Sequence, residues 1–222
     1  MSSTPKKRVD NFLELDRLLG DREIREIGVR RLDLAPVCLD GMRFVDVEFL
    51  EVGLGGVSMR GTTFVSGVFT GAAMRNANFT QGHLDACSFR CCEGIEAQFK
   101  RAELTNVRFD ETPLGNADFS GSEQIGVVFS SSDLYRVRFC DSVLVRTRFE
   151  NRRLGNAVLS HCDFSGSMIL DASFRNADLG GASFRNALII RGNFEDANLT
   201  GADFTGARLI GANLNRVAID DA

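Results

Sequence analysis

The run "HCDF" at residues 161–164 offers a base, a thiol and an acid in sequence, the ingredients of a nucleophilic site. "CSFRCC" places Cys87, Cys91 and Cys92 close enough to suggest metal ligands. Gly53, Gly55 and Gly56 form a small glycine cluster. A dinucleotide fingerprint needs further glycines at fixed offsets, and they are missing. No glycine-rich loop ending in a phosphate-binding lysine occurs. Whether any of these groups can act depends on the elements that position them.

Those elements follow a period of five. Counting from Ile24 to Ile219, a large apolar residue falls at every fifth position, giving 40 consecutive centres, of which Gly94 and Gln124 are not apolar. Of the 18 phenylalanines, 17 are centres and Phe12 is the exception. Neither the 3.6 period of a helix nor the 2.0 period of a strand produces this pattern. The position two before each centre is nearly always small or β-branched, as at Ala72, Ala77, Ala117 and Ala202. The position one before is often Asp or Asn, which can bond to the backbone of a turn. The position two after is often Gly, suited to positive φ.

Units such as "ANFTQ", "ADFSG", "ADLGG", "ANLTG" and "ADFTG" resemble the pentapeptide-repeat family, whose loose consensus is A-(D/N)-(L/F)-x-x. The resemblance covers residues 22 to 219. It implies an all-β solenoid, a right-handed quadrilateral β-helix in which four pentapeptides make one coil and each supplies one face. Forty centres then make about ten coils, a rod about 48 Å long at the usual strand spacing. Centres and small residues point inward and the other three positions outward. Stacked units bury one continuous core that no single unit could bury alone.

The register answers the chemistry. It turns Cys162 inward and His161 outward, so they do not pair. Cys87 and Cys92 fill small inward slots while Cys91 faces out. No catalytic residue, cofactor or metal is expected, and the chain reads as a non-enzyme.

The organisation expected is an N-terminal tail and capping helix over residues 1–21 and the repeat β-helix over 22–222. The helix is placed at residues 5–19, capped by Ser3 or Thr4, with Pro5 in its first turn and Gly20 at its stop. Val9, Phe12, Leu13, Leu18 and Leu19 are expected to lie against the first coil. After Ile219 only "DDA" follows, so the C-terminal helical module of the gyrase-binding members of the family is not expected. At Gly94 and Gln124 a local slip is expected to turn Ile95 and Ile125 inward. Arg152 falls on a small inward slot, and a local bulge is expected there, since burying an unpaired guanidinium is costly.

The formal charge is -4, which does not suggest a basic nucleic-acid binder. No apolar run has the length of a membrane span or signal core, and the six cysteines lack paired spacing, so a cytoplasmic, reducing setting is expected. If residues four repeats apart stack, one face collects Glu103, Glu123, Asp163 and Asp203 in a single acidic column. On the next face Leu170, Ile190 and Ile210 form an outward apolar column flanked by Met168 and Leu188. The resemblance implies a DNA mimic that binds a bacterial type II topoisomerase such as DNA gyrase and protects it from quinolones or a natural poison. The acidic column would be its partner-binding surface. The apolar residues would form a homodimer contact through the C-terminal coils, or a partner contact. The alternative is a rigid scaffold, adaptor or secreted effector with an unrelated protein partner.

Overall fold

The computed structural model describes residues 6–35, 37–150 and 159–220. The chain winds as a four-sided parallel β-solenoid of about ten coils, the expected fold. Two adjacent faces are built from short strands. One is a ten-stranded sheet running from Glu23–Arg25 to Arg208–Ile210, and the other is an eight-stranded sheet. The remaining two faces are joined by single parallel bridges, such as Gly53↔Ala73 and Asn78↔Gln98.

Each feature of the five-residue unit has a structural cause. The residue two after the centre adopts positive φ and turns the corner, as at Gly61 (62°), Asn76 (59°) and Arg101 (54°). More of these corners carry a non-glycine residue than a glycine. A left-handed non-glycine residue costs about 1 kcal/mol, so the core must offset a repeated local penalty. Where the corner closes tightly, the N–H three residues after a centre donates to its carbonyl, as in Ala77 N to Met74 O at 3.0 Å. The Asp or Asn before the centre accepts the N–H two residues on. Asn78 takes Thr80 N at 3.0 Å, Asp163 takes Ser165 N at 2.9 Å and Asn198 takes Thr200 N at 3.1 Å.

From Phe69 onward, phenylalanines fill the core in two columns on opposite faces. Within a column the rings stack, as Phe79 on Phe99 (4.8 Å, 2°) and Phe89 on Phe109 (4.8 Å, 10°). Across the axis the columns meet edge to face, as Phe79 against Phe89 (6.0 Å, 86°). Both are arrangements that the ring quadrupole favours.

Up to Phe149 each centre stacks on the one four repeats before it, and then the step changes. Glu123 pairs with Val143, but Val143 pairs with Met168, a full five repeats on. Phe139 stacks on Phe164 and Phe149 on Phe174, with the same longer step. The expectation of an unbroken four-repeat step is therefore corrected: one coil carries an extra pentapeptide. The period of five survives because the excess equals one whole repeat. Arg152 and its expected bulge lie outside the described residues.

Two other irregularities also differ from expectation. Gln124 keeps its centre position and is fully buried, while Ile125 is exposed; the chain does not slip. Gln124 donates to Ser122 Oγ at 3.1 Å, but its Oε1 has no partner. Gly94 also stays in register, and a methyl of Leu114 lies 2.7 Å from where a Cβ would sit. The neighbouring coil fills that slot, so Ile95 is not needed inside.

At the N-terminus the strand β1 (Lys7–Val9) precedes the helix α1 (Phe12–Leu19). The expected helix over 5–19 is thus corrected at its start. Val9 pairs with Val29 in the ladder and is fully buried, since it falls one coil before that centre. Asn11 caps the helix by accepting Glu14 N at 2.9 Å. Ser3, Thr4 and Pro5 lie outside the described residues. Leu15, Leu18 and Leu19 lie on one helical stripe against the core. Phe12 and Leu13, expected there too, are exposed: Leu13 falls off that stripe, and Phe12 stands in the helix's first turn. Among the described residues no helix is long and apolar enough to cross a membrane.

Two measurements follow. Phe109→Ala removes a ring stacked above and below and met edge-on, so it should lower unfolding stability by about 3–5 kcal/mol in urea titration. Gln124→Leu, between Leu104 and Leu144, replaces a half-satisfied amide with the side chain of its column. It should raise the stability by about 1–2 kcal/mol; a lower urea midpoint would show the amide to be satisfied after all.

Candidate interaction surface

The inward slots dispose of the thiols first. Cys87, Cys92 and Cys162 are buried, while Cys91 and His161 are exposed. Burial pushes the Cys87 thiol up to about 12 and Cys92 up to about 11, and drives Cys162 upward as well. None would be a thiolate near neutral pH. Their role is shared with Ser and Thr in the same slot. Thr112 Oγ1 donates to Phe89 O at 3.2 Å, Ser142 Oγ to Phe119 O at 2.9 Å and Cys162 Sγ to Leu134 O at 3.1 Å. Each captures a carbonyl of the coil before. His161 faces away from Cys162 and meets Tyr135 edge-on at 6.2 Å. Among the described residues no group of three or more His, Cys, Asp or Glu is placed to hold a metal ion.

The extra repeat redraws the surface map. Glu103 and Glu123 are ladder neighbours on the ten-stranded sheet. Asp163 and Asp203 belong to another face, in a column that runs Asp118, Arg138, Asp163, Ser183, Asp203. The single acidic column expected from a constant four-repeat step does not form. Asp163 and Asp203 also spend carboxylate oxygens on their own turns, with Thr205 N 2.8 Å from Asp203. The Thr205 hydroxyl and N–H, followed by the Arg185 guanidinium at 2.7 Å, hold Asp203 down at about 2. Asp118 also lies below its usual range. Burial works against this, but the Ser120 hydroxyl and N–H and Lys100 outweigh it.

Elsewhere the charges neutralise one another from coil to coil. Arg31 meets Glu51 at 2.7 Å, Arg191 meets Asp171 at 2.6 Å and Arg216 meets Asp196 at 2.6 Å. Pairs as exposed as these are screened by solvent, so they set the surface potential more than they hold the fold.

The apolar residues behave differently. Leu170, Ile190 and Ile210 stack as expected, with Met168 beside Leu188. The pairing then carries both columns further down. Val145 precedes Leu170 and Ile125 precedes Val145, while Val143 precedes Met168. The apolar strip therefore spans five levels and shares its sheet with Glu103 and Glu123, rather than lying on a neighbouring face. Ile125, Met168 and Ile210 are 40%, 42% and 47% exposed. Below the strip the same face turns polar through His83, Asp85, Glu103 and Thr105. His83 Nδ1 lies 2.8 Å from Glu103 Oε2. Ile125, Val143 and Val145 escape a reading from the sequence, because a constant four-repeat step puts them on another face from Leu170. The break in the small-residue pattern at Arg152, which lies outside the described residues, is the signal in the sequence nearest the change of step.

Residues 62–139 match the model of the pentapeptide repeat region, and residues 142–181 and 177–216 match that of pentapeptide repeats in eight copies. No curated protein sequence matches the chain. Among solved structures, similarity is found to HetL, a pentapeptide repeat protein involved in heterocyst differentiation regulation from the cyanobacterium Nostoc sp. strain PCC 7120. That match has 16% identity, 91% coverage of this chain, 93% of the other and a TM-score of 0.56. QnrB1, a plasmid-mediated fluoroquinolone resistance protein, matches at 18% identity over 87% of this chain and 93% of its own, with a TM-score of 0.36. At 16% identity the likeness to HetL speaks for the fold and not for a shared activity. With five-residue units turning a four-sided ladder and matching family models across most of its length, the chain belongs to the pentapeptide-repeat family.

Proposed function

We propose that the chain is a non-enzymatic interaction protein, a rigid rod that docks a protein partner on the apolar half of its ten-stranded face. The observation that carries this reading is the continuous strip from Ile125 and Val143 to Ile210, apolar where the register turns side chains outward. Contiguous exposed apolar surface of this kind marks interfaces. The ladder's fixed register keeps such side chains in fixed positions, so binding would cost little ordering.

The second reading is a DNA mimic that binds a type II topoisomerase such as gyrase and shields it from quinolones or a natural poison. The rod shape and the adjacent Glu103 and Glu123 favour it. It has less support, because Asp163 and Asp203 lie elsewhere and cross-coil arginines neutralise many acids. Duplex DNA carries a charge about every 1.7 Å of axis, a density this surface does not approach.

Affinity capture with the wild-type chain, a Leu170→Asp/Ile190→Asp variant and a Glu93→Lys variant on the opposite face separates the possibilities. Partner proteins should be lost with the first variant and kept with the second; an identical set on all three would end the docking-face reading. In a supercoiling assay, gyrase and its quinolone inhibition should be unaffected by the chain. Protection that disappears on Glu103→Arg/Glu123→Arg would instead establish the topoisomerase reading.

A further inference from the structure

The strip has polar ends of opposite sign. In the column that holds Val143, Met168 and Leu188, the residue just below is Glu123 and the residue just above is Arg208. Both are exposed, and neither has an ion-pair partner among the described residues. The five levels span about 19 Å at the spacing of neighbouring strands, with Met168 and Leu170 at the middle level.

This order is self-complementary under one operation. Let a second copy face the first with its rod axis reversed, related by a two-fold axis that lies along the strands at the Met168 level. Each level then meets its mirror level. Glu123 of each copy comes opposite Arg208 of the other, Val143 opposite Leu188 and Met168 opposite Met168. The neighbouring column gives Ile125 opposite Ile210, Val145 opposite Ile190 and Leu170 opposite Leu170. Every apolar outward side chain of the strip meets another, and both charges are matched. Two parallel rods on the same face would place Glu123 against the partner's own Glu123 level and Arg208 against its Arg208 level.

We propose that the occupant of this face is a second copy of the chain, packed antiparallel about a two-fold axis at Met168 and Leu170. The inference rests on reading the face as a docking surface and assigns its partner. A strip two columns wide buries less than the roughly 800 Å² per partner of a standard interface, so the association is weak and reversible. A closed two-fold contact of this kind also covers the strip in both copies, so it does not propagate into a filament.

Sedimentation velocity of the full chain over a concentration series tests it. The wild type should pass from monomer to dimer below about 1 mM, the weakest contact that counts as specific here. Glu123→Arg and Arg208→Glu should each weaken the dimer about five- to tenfold, since each change acts at two symmetric contacts. The double variant Glu123→Arg/Arg208→Glu should recover the wild-type constant. Both positions are solvent-exposed, so the fold is not at risk, and circular dichroism checks it. A chain that stays monomeric throughout overturns the proposal. So does a dimer whose constant is insensitive to the two charges, or one that the double variant fails to restore. If the chain is monomeric yet Leu170→Asp/Ile190→Asp loses a heterologous partner, the docking face stands and the second copy is excluded as its occupant.

Discussion

Everything in this molecule depends on the meeting of two phenylalanine columns along the axis. A coil of four pentapeptides encloses a narrow square. That square is filled when rings from opposite walls stack within their column and touch edge to face across it. Each buried ring contributes about 2–3 kcal/mol from area alone, and its stacked neighbours add to that. This sum offsets the left-handed corners, most of them not glycine, that recur at every fifth residue. Because the rings must stay in column, the wall residues cannot slide, and the outward positions inherit fixed coordinates.

The constraint explains why much of the fold is legible in the sequence. A centre that fails to be large and apolar is conspicuous, so the period of five can be read directly, and with it the inward and outward sense of Cys87, Cys91, Cys92, His161 and Cys162. What cannot be read is which centre lies above which. One extra repeat keeps the period of five, and apart from the misfit of Arg152 it is the ladder that reveals it: Val143 on Met168, Phe149 on Phe174. The side-chain donors show the same displacement. Ser142 reaches a carbonyl 23 residues back, whereas Cys162 and Ser167 reach 28 residues back. The start of the N-terminal helix is hidden for a related reason. A capping pattern suggests helix from residue 5, but Val9 sits one coil-length before Val29, and the ladder claims it.

Polar atoms inside the rod follow the same geometry. Thr112, Ser142 and Ser167 each satisfy a buried hydroxyl on a carbonyl of the previous coil, whereas the buried Thr147 hydroxyl in the same slot has no partner. Gln124 has no such provision, since it occupies a centre where the rest of its column is hydrocarbon. It is retained in register rather than expelled. Turning Ile125 inward would require the whole strand to shift by one residue, and that would put every side chain of the strand on the wrong side.

The extra repeat bears on function as well as on counting. With a constant four-repeat step, Leu170 would stack above Glu150 and Ser130, and Met168 above Arg148, on the face next door. With the longer step, Leu170 stacks above Val145 and Ile125, and Met168 above Val143. One added repeat thus rotates the upper coils by a face. It joins two short apolar segments into a strip of five levels while it removes Asp163 and Asp203 from Glu103 and Glu123. In a rod whose corners and core are the same at every level, this is the available way to compose a distinctive face: the wall chemistry is repetitive, so the phase between the lower and upper coils decides which residues become neighbours. The surface that results is apolar in the middle and oppositely charged at its two ends, an order that neither half of the rod carries by itself.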